Sequence, residues 1–275
     1  MQLGGRRSRN IEDRRGMGPG LIGGGIGTIV LILLALFFGV DPSMLINTGD
    51  DLVSAGGPPP ADDRTADFIA TVLGHTEDTW SEIFRGEGRT YREPKLVLFS
   101  GAVNSACGFG QAAMGPFYCP PDQKVYLDTS FFQELRDRFH APGDFAQAYV
   151  IAHEIGHHVQ NLLGISDRVH AFQQRAGKAE ANQASVRLEL QADCFAGVWA
   201  KHTEQRQRFL DPGDIDEAIA AASMIGDDKL QMQSRGYVVP ESFTHGSAEQ
   251  RSRWFNRGFE GGTTPSCNTF DVANP

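Results

Sequence analysis

None of the four cysteines of this 275-residue chain belongs to a CxxC pair: Cys107, Cys119, Cys194 and Cys267 stand apart. That excludes the thiolate metal and redox motifs built on this spacing. No long-period internal repeat is visible, which excludes a solenoid or propeller array. A multi-spanning membrane protein is not favoured by a composition of 40% hydrophobic and 21% charged residues. A wholly disordered chain is excluded too, because 40% hydrophobic and 21% charged residues is an ordinary globular mixture. The bulk of the chain also lacks a surplus of positive charge. The net charge is −9, although residues 1–20 hold Arg6, Arg7, Arg9, Arg14 and Arg15 against only Glu12 and Asp13. Phosphate affinity rests on clustered lysine and arginine, so an acidic body drops nucleic acid as a partner.

What is present falls into segments. Residues 21–40, LIGGGIGTIVLILLALFFGV, carry no charge and have the length of a membrane span. A secretory core is usually shorter and ends in small residues, whereas Phe37-Phe38-Gly39-Val40-Asp41-Pro42 offers no such cleavage site. The expectation is an uncleaved, single-pass anchor. Basic flanks stay on the cytoplasmic side, so residues 1–20 are expected there and the body on the extracytoplasmic side. Residues 41–63, with Gly56-Gly57 and Pro58-Pro59-Pro60, have linker composition, and residues 64–275 are expected to form one folded domain. Disulfides persist in an exported body. Cys107 and Cys119 close a short loop rich in glycine, which suits a bridge and leaves Cys194 for Cys267, although four cysteines allow three connectivities.

Within the body, Phe68, Ile69, Val72, Leu73, Trp80, Ile83 and Phe84 recur at helical spacing, predicting a packed helix over 65–84. KLVLFS at 95–100 and KVYLD at 124–128 are strand formers bounded by turn residues. Asp144 is a candidate N-cap for a helix running to Gly164. A second helix is expected over about 178–202 and a third from Asp214 to Ile225. The tail after Phe259 is expected to be irregular.

The chemistry lies in the first of these three helices. His153-Glu154-Ile155-Gly156-His157 is the HExxH pattern. Residues four apart share a helix face, so both imidazoles reach one ion while Glu154 projects beside it. Zinc lowers the pKa of a bound water toward neutrality, and the neighbouring carboxylate can take its proton. Catalytic zinc takes a third protein ligand, and Glu189 in Glu189-Leu190-Gln191-Ala192-Asp193 is the expected one, with Glu180 as its rival. Asp193, one turn on, is expected to accept the free N–H of His153. Both carboxylates sit among apolar neighbours such as Leu188, Leu190 and Phe195, where a buried charge needs a partner. His158 points elsewhere on the helix and reads as structural.

HEIGHH followed by ELQADCFAGVWA resembles the bacterial family described as putative neutral zinc metallopeptidases, the YpfJ-like proteins. The likeness extends to the arginine-rich N-terminus, to ACGFGQAAMGPFYCPPDQKVYLD and to GYVVPESFTHGSAEQRSRWFNRGF. It implies an α+β, zincin-like domain, mostly helical with a small sheet whose edge holds an extended peptide. It also implies one zinc per chain, peptide or protein substrates, and a bacterial inner-membrane location. Thr244-His245-Gly246-Ser247 with Arg251 resembles the THP…R stretch of membrane-bound heat-shock endopeptidases, with Gly246 in place of the proline. By that likeness His245 is a candidate oxyanion donor and Arg251 an orienting or packing residue. The strand holding Val125-Tyr126-Leu127 is, by the same likeness, expected near the cleft. Two rival readings are a membrane-tethered zinc scaffold without turnover and a zinc amidase acting on cell-wall peptide.

Overall fold

The computed structural model describes residues 1–16, 63–137 and 143–275. Its first strand comes from the basic N-terminus: Ile11–Asp13 (β1) pairs in parallel with Lys95–Phe99 (β2). Glu12 lies 2.6 Å from Arg14, 3.1 Å from Lys95 and 3.0 Å from Lys124. Burial pushes the Glu12 carboxyl up, and these cations outweigh it and hold it at about 2. The arginines expected to face a membrane are instead occupied by the body. Arg6 pairs with Glu77 and Asp78, Arg7 with Asp67, and Arg15 with Asp13 and Asp63. Ser8 Oγ donates to the buried Glu77, and the His75 ring meets the Gly4 carbonyl at 2.7 Å.

This packing corrects one expectation. The fold does not start at residue 64, because residues 1–15 supply one strand of its main sheet. The β1–β2 ladder and the Arg15–Asp63 pair thus place residues 1–15 on the same body as the described residues from 63 onward. The proposed anchor and the linker up to residue 62 lie outside the described residues. Among the described residues, no helix is long and apolar enough to cross a membrane.

Arg64–Gly86 (α1) is the helix expected from its apolar spacing, capped by the Asp63 side chain, which accepts from the Ala66 amide at 3.0 Å. After β2, Ala102–Ser105 (β3) and Gly108–Gln111 (β4) form an antiparallel hairpin. Phe117–Cys119 (β5) then runs antiparallel to Lys124–Asp128 (β6), which is parallel to β2. The four-stranded order is β1-β2-β6-β5. The strand holding Val125-Tyr126-Leu127 is therefore interior, and the sheet edge nearest the helices is β5. Strands buried on both faces read as continuous apolar runs. Accordingly Leu96, Leu98, Val125 and Leu127 enter the main core, while Val97, Phe99 and Tyr126 pack with Val103 and Cys119 on the other face. A Cys107–Cys119 disulfide ties the hairpin to β5.

The remainder is helical: Phe131–Asp137 (α2), Asp144–Leu162 (α3), Ile165–Gln173 (α4), Lys178–Gln207 (α5), Asp214–Met224 (α6), Asp227–Arg235 (α7) and Ala248–Gly261 (α8). Asp144 and Asp214 are the first helical residues, one place inside the caps Gly143 and Gly213. The tail is more ordered than expected, since α8 runs past Phe259 to Gly261. Cys194–Cys267 is the second disulfide, so the favoured connectivity is the observed one.

Two glycines set how closely the three central helices approach. A Cβ on Gly156 would stand 2.9 Å from the Ala192 carbonyl, so α3 and α5 meet there only without a side chain. A Cβ on Gly258 would stand 1.9 Å from the Cys194 carbonyl, which fixes α8 against α5 in the same way. The main core, with Tyr149, Ile155, Leu190, Phe195, Trp199 and Phe255, is built on these contacts.

Candidate metal centre

The close approach at Gly156 carries Glu189 of α5 up to the two imidazoles of α3. Glu189 Oε2 is 3.2 Å from His153 Nε2, and Oε1 is 3.4 Å from His157 Nε2. These three residues offer ligand atoms that all lie within 4.8 Å of one another. The other ring nitrogens are already engaged. His153 Nδ1 donates to Asp193 Oδ1 at 2.8 Å, and His157 Nδ1 donates to Gln160 Oε1 at 2.9 Å. Each ring is thereby held in the tautomer that leaves Nε2 as a ligand atom. Two imidazole nitrogens and one carboxylate are the donor set of a catalytic zinc with one position left open. The residues fit that ion.

Asp193 is fully buried and is compensated by four donor contacts. Besides His153 it accepts from the Tyr149 hydroxyl and from Arg251 Nε and Nη2, both at 2.9 Å. Burial alone would raise the Asp193 carboxyl, but Arg251 and His153 outweigh it and hold it at about 2. Arg251 is 2% exposed, and Asp193 keeps its guanidinium charged despite that burial. Sequence-level likeness left Arg251 between orienting and packing; its contacts make it the counter-ion of the residue that orients His153.

Burial pushes both imidazoles toward neutrality, and the acids beside them reverse the sign. Asp193 and Glu189 lift His153 to about 10, and Glu189 raises His157. Glu154 differs from its neighbours. It is buried, has no hydrogen-bond partner among the described residues, and has a carboxyl raised by desolvation. A carboxylate with depleted solvation is a stronger base.

His245 stands at the rim on a loop shaped by Asp227. Asp227 Oδ2 accepts the amides of Thr244, His245 and Gly246 at 2.7, 2.6 and 3.1 Å, and Oδ1 meets His245 Nδ1 at 3.2 Å. That hydrogen bond raises the His245 pKa. Gly246 packs against Val186 and Leu190, three residues before and one after Glu189 along α5, and its φ is 91°. Proline cannot adopt that angle, so the exchange of glycine for proline in this stretch goes with a different backbone.

Glu180, the rival ligand, is not at the site: it accepts the Gly177 amide at the start of α5. His158 bridges the Arg92 carbonyl at 2.6 Å and the Tyr118 hydroxyl at 3.0 Å, joining α3 to β5, and burial lowers it to about 4. Tyr149, Gln160 and Asp227 were missed from sequence. The first two lie four residues before His153 and three after His157, so extending the ligand face by a turn each way finds them. Asp227 had no such signal.

The family model described as putative neutral zinc metallopeptidase matches residues 1–270. The chain belongs to that family. Among relatives of this chain, YpfJ of Escherichia coli K12 is 50% identical over 97% of each chain. The Mycobacterium bovis protein Mb2605 is 43% identical over 74% of this chain and 70% of its own. Both are described as uncharacterized, so they carry the family and no substrate. No solved structure matches.

Proposed function

We propose that this chain is a zinc-dependent peptidase in which His153, His157 and Glu189 hold one zinc ion and Glu154 is the general base. The observation that carries this reading is the convergence of both Nε2 atoms on Glu189 while both Nδ1 atoms are tied back, with Glu154 unpaired alongside. Bound zinc supplies Lewis-acid polarisation of a water and of the scissile carbonyl. Glu154 takes the proton of the attacking water and returns it to the leaving amine. His245, whose proton affinity the hydrogen bond to Asp227 raises, donates a hydrogen bond to the carbonyl oxygen as it gains negative charge. An extended peptide or protein substrate pairs with the open edge of β5 beside α3.

The test is metal dependence. The purified full chain is expected to bind one zinc and to cut an unfolded protein such as casein. A chelator stops the cutting and added zinc restores it. One bound zinc without cleavage of casein or of a cell-wall peptide panel would overturn the peptidase reading in favour of a scaffold. Cleavage of the cell-wall peptides alone would favour an amidase.

For location we propose the side on which the two disulfides persist, outside the bacterial inner membrane. Membrane contact through residues 21–40 then leaves both flanks on that side. Epitope tags at the two ends are expected to be equally open to protease in spheroplasts. Protection of the N-terminal tag alone would defeat this placement.

A further inference from the structure

We infer that Gln160 is the positioning residue of the second imidazole ligand, and that it works through a one-way relay of amides anchored at the Cys194–Cys267 disulfide. The inference rests on the metal site proposed above and extends it to a residue outside the HExxH pattern.

The relay is read most clearly from its far end. The Cys267 main-chain oxygen can only accept, so Gln191 presents its NH2 there, at 2.9 Å. Gln191 Oε1 is thereby turned toward Gln160, which presents its own NH2 at 3.2 Å. The Leu188 carbonyl fixes the same orientation independently, accepting from Gln160 Nε2 at 2.7 Å. Gln160 Oε1 is left facing His157, and Nδ1 of that ring must carry the proton it donates at 2.9 Å. In the neutral ring Nε2 is then the unprotonated atom, and it faces Glu189. Two main-chain carbonyls therefore dictate the tautomer of a metal ligand.

Burial makes the arrangement stiff. Gln160 is fully buried and Gln191 is 4% exposed, so neither amide can exchange a lost partner for bulk water. The far end is covalently held, because Cys267 is bonded to Cys194, the residue after Asp193 on α5. Arg187 adds a second hold, donating to the Val272 carbonyl at 2.9 Å while its own carbonyl accepts from Thr269. Leu188 immediately precedes Glu189, so Gln160 joins the second imidazole to the backbone of the carboxylate ligand. The two histidines are thus oriented by different means: His153 by a charged acceptor, His157 by a neutral amide chain that ends on a disulfide.

The experiment measures zinc affinity by competition with a chromophoric chelator, together with the visible spectrum of the cobalt(II)-loaded protein. Gln160→Met keeps the length and removes both functions of the amide. It is expected to bind zinc about 10- to 100-fold more weakly, with an altered cobalt spectrum. Replacing Cys194 and Cys267 together by alanine is expected to weaken zinc in the same direction. Nitrogen-15 NMR of histidine-labelled, zinc-loaded wild type needs no variant to fold, and is expected to show His157 protonated at Nδ1 and protected from solvent exchange. Wild-type affinity and spectrum in Gln160→Met, or an Nδ1 of His157 that exchanges freely, would overturn the relay. Failure of the wild type to bind zinc would instead remove the metal site itself, which separates the two failures.

Discussion

Glu154→Gln is expected to keep zinc bound and to lower peptide hydrolysis by about 100- to 10,000-fold, the span that a positioned general base contributes. The carboxylate makes no ion pair or hydrogen bond among the described residues, so its removal leaves no donor unsatisfied and the fold has no reason to respond. The neutral amide has nearly the same shape and cannot take a proton from water. It also relieves the desolvation that raises the acid's pKa, so the variant is expected to melt at or slightly above the wild-type temperature. Metal content, melting temperature and turnover of one protein sample decide the matter together. Turnover within a few-fold of wild type at full zinc loading would remove Glu154 from the reaction.

Asp193→Asn should act on both stability and metal. It takes away the carboxylate that receives His153, Tyr149 and Arg251, and leaves a guanidinium that is 2% exposed without its counter-ion. Breaking one partner of a buried ion pair costs about 3–5 kcal/mol. Loss of the acceptor behind a ligand histidine weakens metal binding by about 10- to 100-fold. Denaturant unfolding in zinc-free buffer reads the first effect and chelator competition reads the second. The double change Asp193→Asn with Arg251→Met removes both charges and is expected to recover part of the stability while leaving zinc weak. If Asp193→Asn unfolded like wild type, the buried pair would not be holding α8 to α5.

The sign of the pH effect follows from the same pair. Asp193 has a folded pKa of about 2 against an ordinary 3.8, so its share of the stability is complete above about 4. It is lost as the pH falls through about 2, which leaves the pair intact throughout the neutral range.

Local chemistry was readable before any tertiary contact was known. The HExxH face, the Glu189 and Asp193 pair one turn apart, the long helices and the two disulfide partners all follow from spacing of about one helical turn or from the shortness of one cysteine loop. The pairing of the arginine-rich start with the body was not legible, because the rule for membrane flanks treats arginines as free cations, whereas Arg6, Arg7 and Arg15 are taken up by acids 48 to 72 positions away. The place of the 124–128 strand in the sheet was not legible for a related reason. Strand propensity marks 124–128 as a strand and is silent on its neighbours, and the order β1-β2-β6-β5 puts that strand inside the sheet.

By itself, the sequence determined the HExxH face, the candidate carboxylates Glu189 and Asp193, the family likeness and the cysteine count, because each depends on residue type at helical spacing or on likeness along the chain. Only the tertiary structure decided that residues 1–15 belong to the body, that Asp227 governs the His245 loop, that Arg251 neutralises Asp193, and that Gln160 reads a distant carbonyl. The physical reason is that these are pairings of groups far apart in the chain. Those at the metal centre form where Gly156 and Gly258 let three helices approach to backbone contact, and no local periodicity encodes which faces then meet.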